Sequence, residues 1–454
     1  MKYVALTIGI LGIFPLAIFL RSNPFVRSRF WILLGTLPFI SVAFPFLDVA
    51  IITWDQFWVG YVPGLQISTI DLIAVAIYFT IRQKTNSIRY HFPFLLYLTA
   101  ISLSVFQAEM PLAAVFYVWQ FIRTYFLTIV IAKACTDETV PMQLLKGLAI
   151  GLVIQVVAVI WQKFVGGAIQ PTGAFLHQNT LGLIMHLAVF PHFALLLAGQ
   201  RQLQNATTPL IALVIASLIA SRAALGFAGF GFVATYFFSL SRKMTNWKGL
   251  VGITGIVLVT VFAPIAYSAL ESRFNAAPLM EHEYDERAAF NRAALAMLEA
   301  NPFGIGANHY AYVGKNYGYS VRAGVVPHEG NLNNIVHNAY LLAAAEAGYL
   351  GFFAFVILAF FPLWISLKYS WIERNDPKGD LLLGLGVAML TIYLHSLFEY
   401  IIVTKEVQYV LAIVVGMTFG LAHQIKRASE TSRRDVAGQS TKARSLQNAG
   451  RLLR

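Results

Sequence analysis

From end to end the chain alternates between long apolar blocks and short polar interruptions. A helix rises ~1.5 Å per residue, so crossing ~30 Å of hydrocarbon takes ~20 mainly apolar residues. Runs of this kind fall at 3–20, 30–50, 66–81, 92–107, 112–133, 143–163, 178–198, 209–221, 223–240, 249–270, 337–366, 380–402 and 404–424. Several are short, so the pattern predicts an all-α, polytopic integral membrane protein with 12–13 transmembrane helices. The first run leads into Arg21, Arg27 and Arg29 with no small-residue cleavage site, and is read as a retained span.

The polar interruptions fall into two sets. One is basic: Arg21 to Arg29, Arg82 to Arg89, Lys133 to Lys146, the surroundings of Arg201, Arg242 to Lys248, and Lys368 to Lys378. The positive-inside rule makes these loops cytoplasmic, together with a basic tail over 425–454, and turns the intervening loops outward. The multi-span membrane domain is then 1–424, and the tail is suited to anionic headgroups.

One outer loop is long. From Glu271 to Val336 no credible span occurs, and seven of the 21 acidic residues lie there. Loops of such length are functional or disordered, and this one has an ordered composition, so 271–336 is expected to be a partly helical subdomain. Ala289, Leu295 and Met297 have helical spacing within 285–300, Pro302 ends that helix, and Gly304 and Gly306 mark a turn. Tyr310, Tyr312, Tyr317 and Tyr319 follow, suited either to a membrane-interface belt or to ligand contact.

Composition narrows the classes. Of 454 residues 58% are apolar and 12% charged, against ~45–50% and ~25% for soluble domains. The one cysteine, Cys135, excludes an internal disulfide or a thiolate metal site and reads as filler at a helix end. The net charge of +12 is spread over short loops and the tail and forms no single basic face, which argues against nucleic acid.

Against this background three outer residues stand out. Arg222 lies inside the apolar stretch 209–240, whose two flanks are basic, and so at the turn of a hairpin with arms too short to span fully. An ionisable group at that depth is a candidate functional residue; the competing reading is an arginine snorkelling from a helix end. Arg287 opens the loop helix, with Arg292 as a competitor and a surface pair with Glu283 or Glu286 as the ordinary alternative. His337 stands where the loop re-enters an apolar helix, a position also open to an interfacial histidine. Guanidinium groups match phosphate oxygens, and histidine takes a proton near neutral pH. Two arginines and a histidine on one side therefore suit a pyrophosphate clamp with a base, and no aspartate motif or acidic cluster near His337 suggests a metal.

Secondary candidates surround them. His177 and Asn179 lie at another outer helix start, where Asn179 is either a ligand for sugar or diphosphate or a helix cap. Glu346 lies nine residues past His337, on the opposite face of a straight helix, and is read as a packing or hydrogen-bonding group beside Gly348 and Gly351. His186, His192 and His395 read as packing histidines, and Glu399, Lys405 and Glu406 as a local ion-pair cluster.

The order of these parts resembles the O-antigen ligase and O-antigen polymerase family of bacterial membrane glycosyltransferases. The resemblance rests on the Ser221-Arg222 hairpin, the arginine-led helix ending in Asn301-Pro302-Phe303-Gly304-Ile305-Gly306, His337-Asn338-Ala339-Tyr340-Leu341, and Glu346-Ala347-Gly348-Tyr349-Leu350-Gly351. It covers roughly 210–355 and implies a cofactor-free and metal-independent enzyme of the cytoplasmic (inner) membrane, with its site on the outer side. Such an enzyme moves glycan from undecaprenyl pyrophosphate to an acceptor hydroxyl on a glycan, lipid or protein, with inversion at the anomeric carbon. It implies catalytic roles for Arg222, Arg287 and His337, and substrate contacts from Arg222, Arg287, Arg292, His177, Asn179 and Asn338. Other polysaccharide-assembly proteins would be partners. One departure is Asn291, where the family commonly has an aromatic residue four positions after the loop arginine. The motifs do not separate polymerase, ligase and protein glycosylase. The rival classes are a membrane transporter, for example of bicarbonate, and a non-catalytic subunit of a polysaccharide export complex.

Overall fold

The computed structural model describes residues 2–81, 91–276 and 286–452. The basic loop expected at 82–89 and the acidic positions 281–285 lie outside the described residues. The helices are α1 (Lys2–Ser22), α2 (Pro24–Thr36), α3 (Thr69–Tyr78), α4 (His91–Ser104), α5 (Pro111–Ala134), α6 (Val140–Phe164), α7 (Gln178–Leu197), α8 (Leu203–Leu218), α9 (Arg222–Arg242) and α10 (Asn246–Ala276). After them come α11 (Glu286–Ala300), α12 (Tyr310–Asn316), α13 (Tyr319–Arg322), α14 (Glu329–Leu332), α15 (Ala339–Ile372), α16 (Pro377–His395) and α17 (Lys405–Leu452).

This is an all-α polytopic membrane protein. Among the described residues nine helices are long and apolar enough to cross a membrane, and three shorter apolar helices, Thr69–Tyr78, His91–Gln107 and Leu203–Leu218, accompany them. The expected spans at 30–50 and 66–81 are corrected. Pro38 supplies no backbone N–H to continue the helix, and α2 stops at Thr36. The chain then forms a small antiparallel hairpin, β1 (Asp48–Thr53) with β2 (Gly64–Ser68), before the ten-residue α3.

The helices share two ends. At one end Arg242, closing α9, donates to Asp380 at the start of α16 at 2.8 Å, and Lys378 reaches Glu138 beside the start of α6 at 2.5 Å. At the opposite end lie the starts of α7, α9 and α15 and the close of α10. Between the two ends α7 packs on α16, where a Cβ on Gly384 would stand 2.5 Å from the Phe190 carbonyl oxygen, so only glycine allows this approach.

The long loop is folded onto α15. α15 is broken at Ala347 and Gly348, where Gly348 has φ +67°. The turn Asn301–Gly306 fills the break. Ile305 N donates to Ala345 O at 3.0 Å, Gly306 N to Glu346 O at 2.9 Å, and Tyr349 N to Pro302 O at 3.1 Å. The carbonyls freed by the interruption are thus satisfied by the loop. Glu346, 3% exposed, accepts from Tyr61 Oη at 2.6 Å and from the backbone N–H groups of Asn308 at 2.8 Å and Tyr310 at 3.0 Å. The hydrogen-bonding role expected of Glu346 is therefore what the structure shows, although the helix is not straight.

The loop tyrosines divide accordingly. Tyr310 is buried and donates to Phe290 O at 2.8 Å, while Tyr312 and Tyr317 donate to Glu109, at 3.0 and 2.7 Å. Those two bonds tie the loop to the α4–α5 connection and hold the Glu109 carboxyl below its ordinary range.

Candidate functional site

Arg222 begins α9 through a local device. Ala220, with φ +50°, turns the chain out of α8, a conformation that costs a residue with a Cβ ~1–2 kcal/mol. Ser221 then caps α9, its Oγ accepting from Ala224 N at 3.2 Å, a contact that contributes ~1 kcal/mol. The Ala220 carbonyl oxygen, left by the same turn, accepts from Arg273 Nη1 at 2.9 Å, and the Gln170 side-chain amide lies against the same guanidinium. The exposed Arg222 guanidinium lies over the Phe274 ring, 5.2 Å from its centre. Among the described residues no carboxylate pairs with it.

Asn179 links α7 to this start. The cap of α7 is His177, whose Nδ1 accepts from Asn179 N at 3.1 Å. The Asn179 side chain is therefore free of capping: its Oδ1 accepts from Ser221 Oγ at 2.7 Å and its Nδ2 donates to Glu399 Oε1 at 2.6 Å. The same Glu399 oxygen accepts from Arg287 Nη2 at 3.2 Å. The Glu399 side chain is 2% exposed and that of Arg287 51%. Burial raises the Glu399 carboxyl to about 7, with Arg287 and the Asn179 hydrogen bond pulling the other way.

His337 completes the group. Its ring lies 6.1 Å from that of Phe290 on α11 and 6.0 Å from that of Tyr400. Burial lowers its proton affinity, and the charges of Arg287 and His177 lower it further, to about 4. The imidazole is consequently neutral over the physiological range. Its Nδ1 is buried and among the described residues has no hydrogen-bond partner. His177 is also held below its ordinary value, by burial first and then by Arg273. The charges of Arg222 and Arg287 both bear on Arg273, so three arginines share the site.

The site residues expected from the sequence are thus placed unequally. Arg222, Arg287, His337, His177 and Asn179 come together at one end of the bundle. Arg292 does not join them: its Nε and Nη2 donate to Ala323 O at 3.2 and 2.9 Å and pin α11 to the end of α13. Asn338 caps α15, its Oδ1 accepting from Tyr340 N at 3.0 Å and Leu341 N at 3.1 Å. Of the packing histidines, His186 bonds to Ala224 O and His192 to Asn205 and Leu145 O, while His395 stacks on Phe227.

Residues 209–356 match the family model described as O-antigen ligase. The resemblance read from the sequence is borne out over that segment, which contains Arg222, Arg273, Arg287, His337, Glu346 and the break in α15. Among curated proteins none matches the chain. The O-antigen ligase match leaves out His177, Asn179 and Glu399, which α7 and the turn after α16 bring to it.

Two contributors were missed by sequence reasoning. Glu399 was grouped with Lys405 and Glu406; in the structure Lys405 does pair with Glu406, at 4.0 Å, and also bonds to Asp48 beside Gln66, but Glu399 turns to Arg287. The available signal was a lone acid following an apolar span. Arg273 was overlooked because α10 was expected to end at 270, whereas it continues to Ala276.

Proposed function

We propose that this chain is a membrane glycosyltransferase of O-antigen ligase or polymerase type, moving glycan from undecaprenyl pyrophosphate to an acceptor hydroxyl. The observation that carries the reading is the gathering of Arg222, Arg273 and Arg287 beside a neutral His337 at the end of the bundle away from the basic loops. The match to the O-antigen ligase model over 209–356 supports a glycan-transferring enzyme.

In the proposed reaction the diphosphate of the donor lies among the guanidinium groups, chiefly Arg222 and Arg287, whose forked donors suit phosphate oxygens. The acceptor oxygen attacks the anomeric carbon from the side opposite the diphosphate. A new carbon–oxygen bond forms as the bond to the phosphate oxygen breaks, so the configuration inverts. The hydroxyl proton passes to His337, which is unprotonated and able to accept it. Negative charge moves onto the departing diphosphate, where fixed cations already stand. None of these roles is assigned to a metal ion. By the positive-inside rule the site faces outward across the bacterial cytoplasmic membrane, where the carrier and acceptor would meet.

The test is transfer from a polyprenyl-diphosphate-linked oligosaccharide by the purified protein in proteoliposomes. Arg222→Ala, Arg287→Ala and His337→Ala are each expected to lower turnover at least ~100-fold. Unchanged transfer in all three would reject the assignment, and solute flux without donor turnover would favour a transporter. Extension of the donor's own glycan marks a polymerase; addition to a lipid A core or a protein marks a ligase or glycosylase.

A further inference from the structure

The matched segment ends at residue 356, yet the group that holds Arg287 comes from the turn after α16. Arg287 is half exposed, stands on the loop helix α11, and bonds Glu399 through one nitrogen at 3.2 Å. Among the described residues nothing else takes up its other N–H donors, which are open to a ligand. Glu399 is itself anchored from behind, by Asn179 Nδ2 at 2.6 Å, and Asn179 in turn holds Ser221, the cap from which Arg222 projects. One carboxylate thus ties together the two elements that carry the arginines: α11 directly, and α9 through Asn179 and Ser221.

We propose that Glu399 is a positioning residue, which holds Arg287 at a fixed place relative to Arg222 so that the pair receives a diphosphate without reorganising. The inference rests on the glycosyltransferase reading for what is bound, and on hydrogen bonds alone for what is held. A long arginine on a loop helix otherwise samples many rotamers, and ordering it falls to the binding step. Here that ordering precedes binding. Because the carboxylate is almost wholly buried while the guanidinium faces outward, phosphate oxygens approach Arg287 without displacing Glu399.

The charged and titratable groups facing Glu399 are Arg287 from α11 and Tyr400 beside it in the chain, with Asn179 from α7 as the neutral donor. His337 is unprotonated down to about 4, so a loss of activity on acidification through about 7 does not come from the base, and it is assigned to Glu399 by its disappearance in Glu399→Gln. Protonation there removes the charge that orients Arg287.

The experiment compares Glu399→Gln, Arg287→Ala and the double variant in proteoliposomes with the lipid-linked oligosaccharide, from pH 5.5 to 8.5. Glu399→Gln is expected to lower kcat/KM for the donor about tenfold at pH 8, and to add less than about twofold in the Arg287→Ala background, since coupled residues do not act additively. The acid limb near pH 7 should vanish in Glu399→Gln while the variant remains folded throughout this pH range. A Glu399→Gln variant with native kcat/KM and a native pH profile overturns the positioning role, as does a loss that multiplies fully with Arg287→Ala. Native transfer in Arg287→Ala would instead remove Arg287 from the diphosphate site and overturn the positioning role with it, while no donor turnover by the native protein would sink the glycosyltransferase reading. Should the native protein transfer nothing, hydrogen exchange over 286–300 still decides: faster exchange in Glu399→Gln, with α7 and α16 unchanged, supports the tether, and equal exchange refutes it.

Discussion

A Cβ on Gly348 would stand 2.3 Å from the Pro302 carbonyl oxygen, so the break in α15 and the Asn301–Gly306 turn fit only as a pair. Gly348 also needs φ +67°, and both demands exclude a side chain. The contact is reciprocal, because a Cβ on Gly304, φ +91°, would meet Glu346 O at 2.4 Å. Gly348→Ala is therefore expected to destabilise the protein by at least ~1–3 kcal/mol and to loosen the loop bearing Arg287. Thermal unfolding in detergent, with limited proteolysis over 286–336, checks this; an unchanged melting temperature would show that the break is not needed.

Glu346 predicts a graded series. Tyr61→Phe removes one hydrogen bond to the carboxyl and should cost ~1.5–3 kcal/mol. Glu346→Ala leaves the buried N–H groups of Asn308 and Tyr310 without an acceptor, and should cost on the order of 3 kcal/mol or more. The order of melting temperatures, native above Tyr61→Phe above Glu346→Ala, is the measurement, and a reversed order would reject the anchoring role.

The two loop arginines separate by function. Arg287 faces Glu399 and the cluster; Arg292 donates twice to Ala323 O. Arg292→Ala should keep glycan transfer within ~10-fold of native and cost ~1–2 kcal/mol in stability, whereas Arg287→Ala should keep stability and lose transfer. Kinetics and melting curves on the two variants make a direct comparison, and equal loss of turnover would bring Arg292 back into the site.

Much of this architecture was legible along the chain because spanning helices need only length and apolarity. The failures have physical causes. The run 30–50 is apolar enough to span, but hydropathy does not register that Pro38 and Pro45 withhold the N–H groups a helix needs, and a β-hairpin follows. The outer charges Arg222, Arg287 and His337 stood out singly against the apolar background. What a linear reading could not provide was partnership: Glu399 and Arg287 are 112 positions apart, and Asn179 and Glu399 are 220 apart. The same limit hid Arg123, buried within α5 and paired with Asp71 at 2.6 Å, since the pattern of α5 shows a charge in mid-span and not what meets it.

The opposed shifts of His337 and Glu399 make the sign of pH dependence testable. His337 moves from an ordinary 6.5 down to about 4, so between those values the unfolded chain holds a proton that the native one lacks, and stability rises with pH. Glu399 moves from 4.5 up to about 7; there the native chain holds the proton, and stability falls as pH rises. The two windows overlap from 4.5 to 6.5, where one proton gained offsets one lost and the site as a whole contributes no slope. Removing one partner exposes the other. Subtracting the native melting temperature at each pH cancels every other group: the difference for His337→Ala should fall as pH rises across this range, and that for Glu399→Gln should climb. Two flat difference curves would mean that neither side chain is held in the buried, charge-coupled state that makes His337 a base and Glu399 a tether.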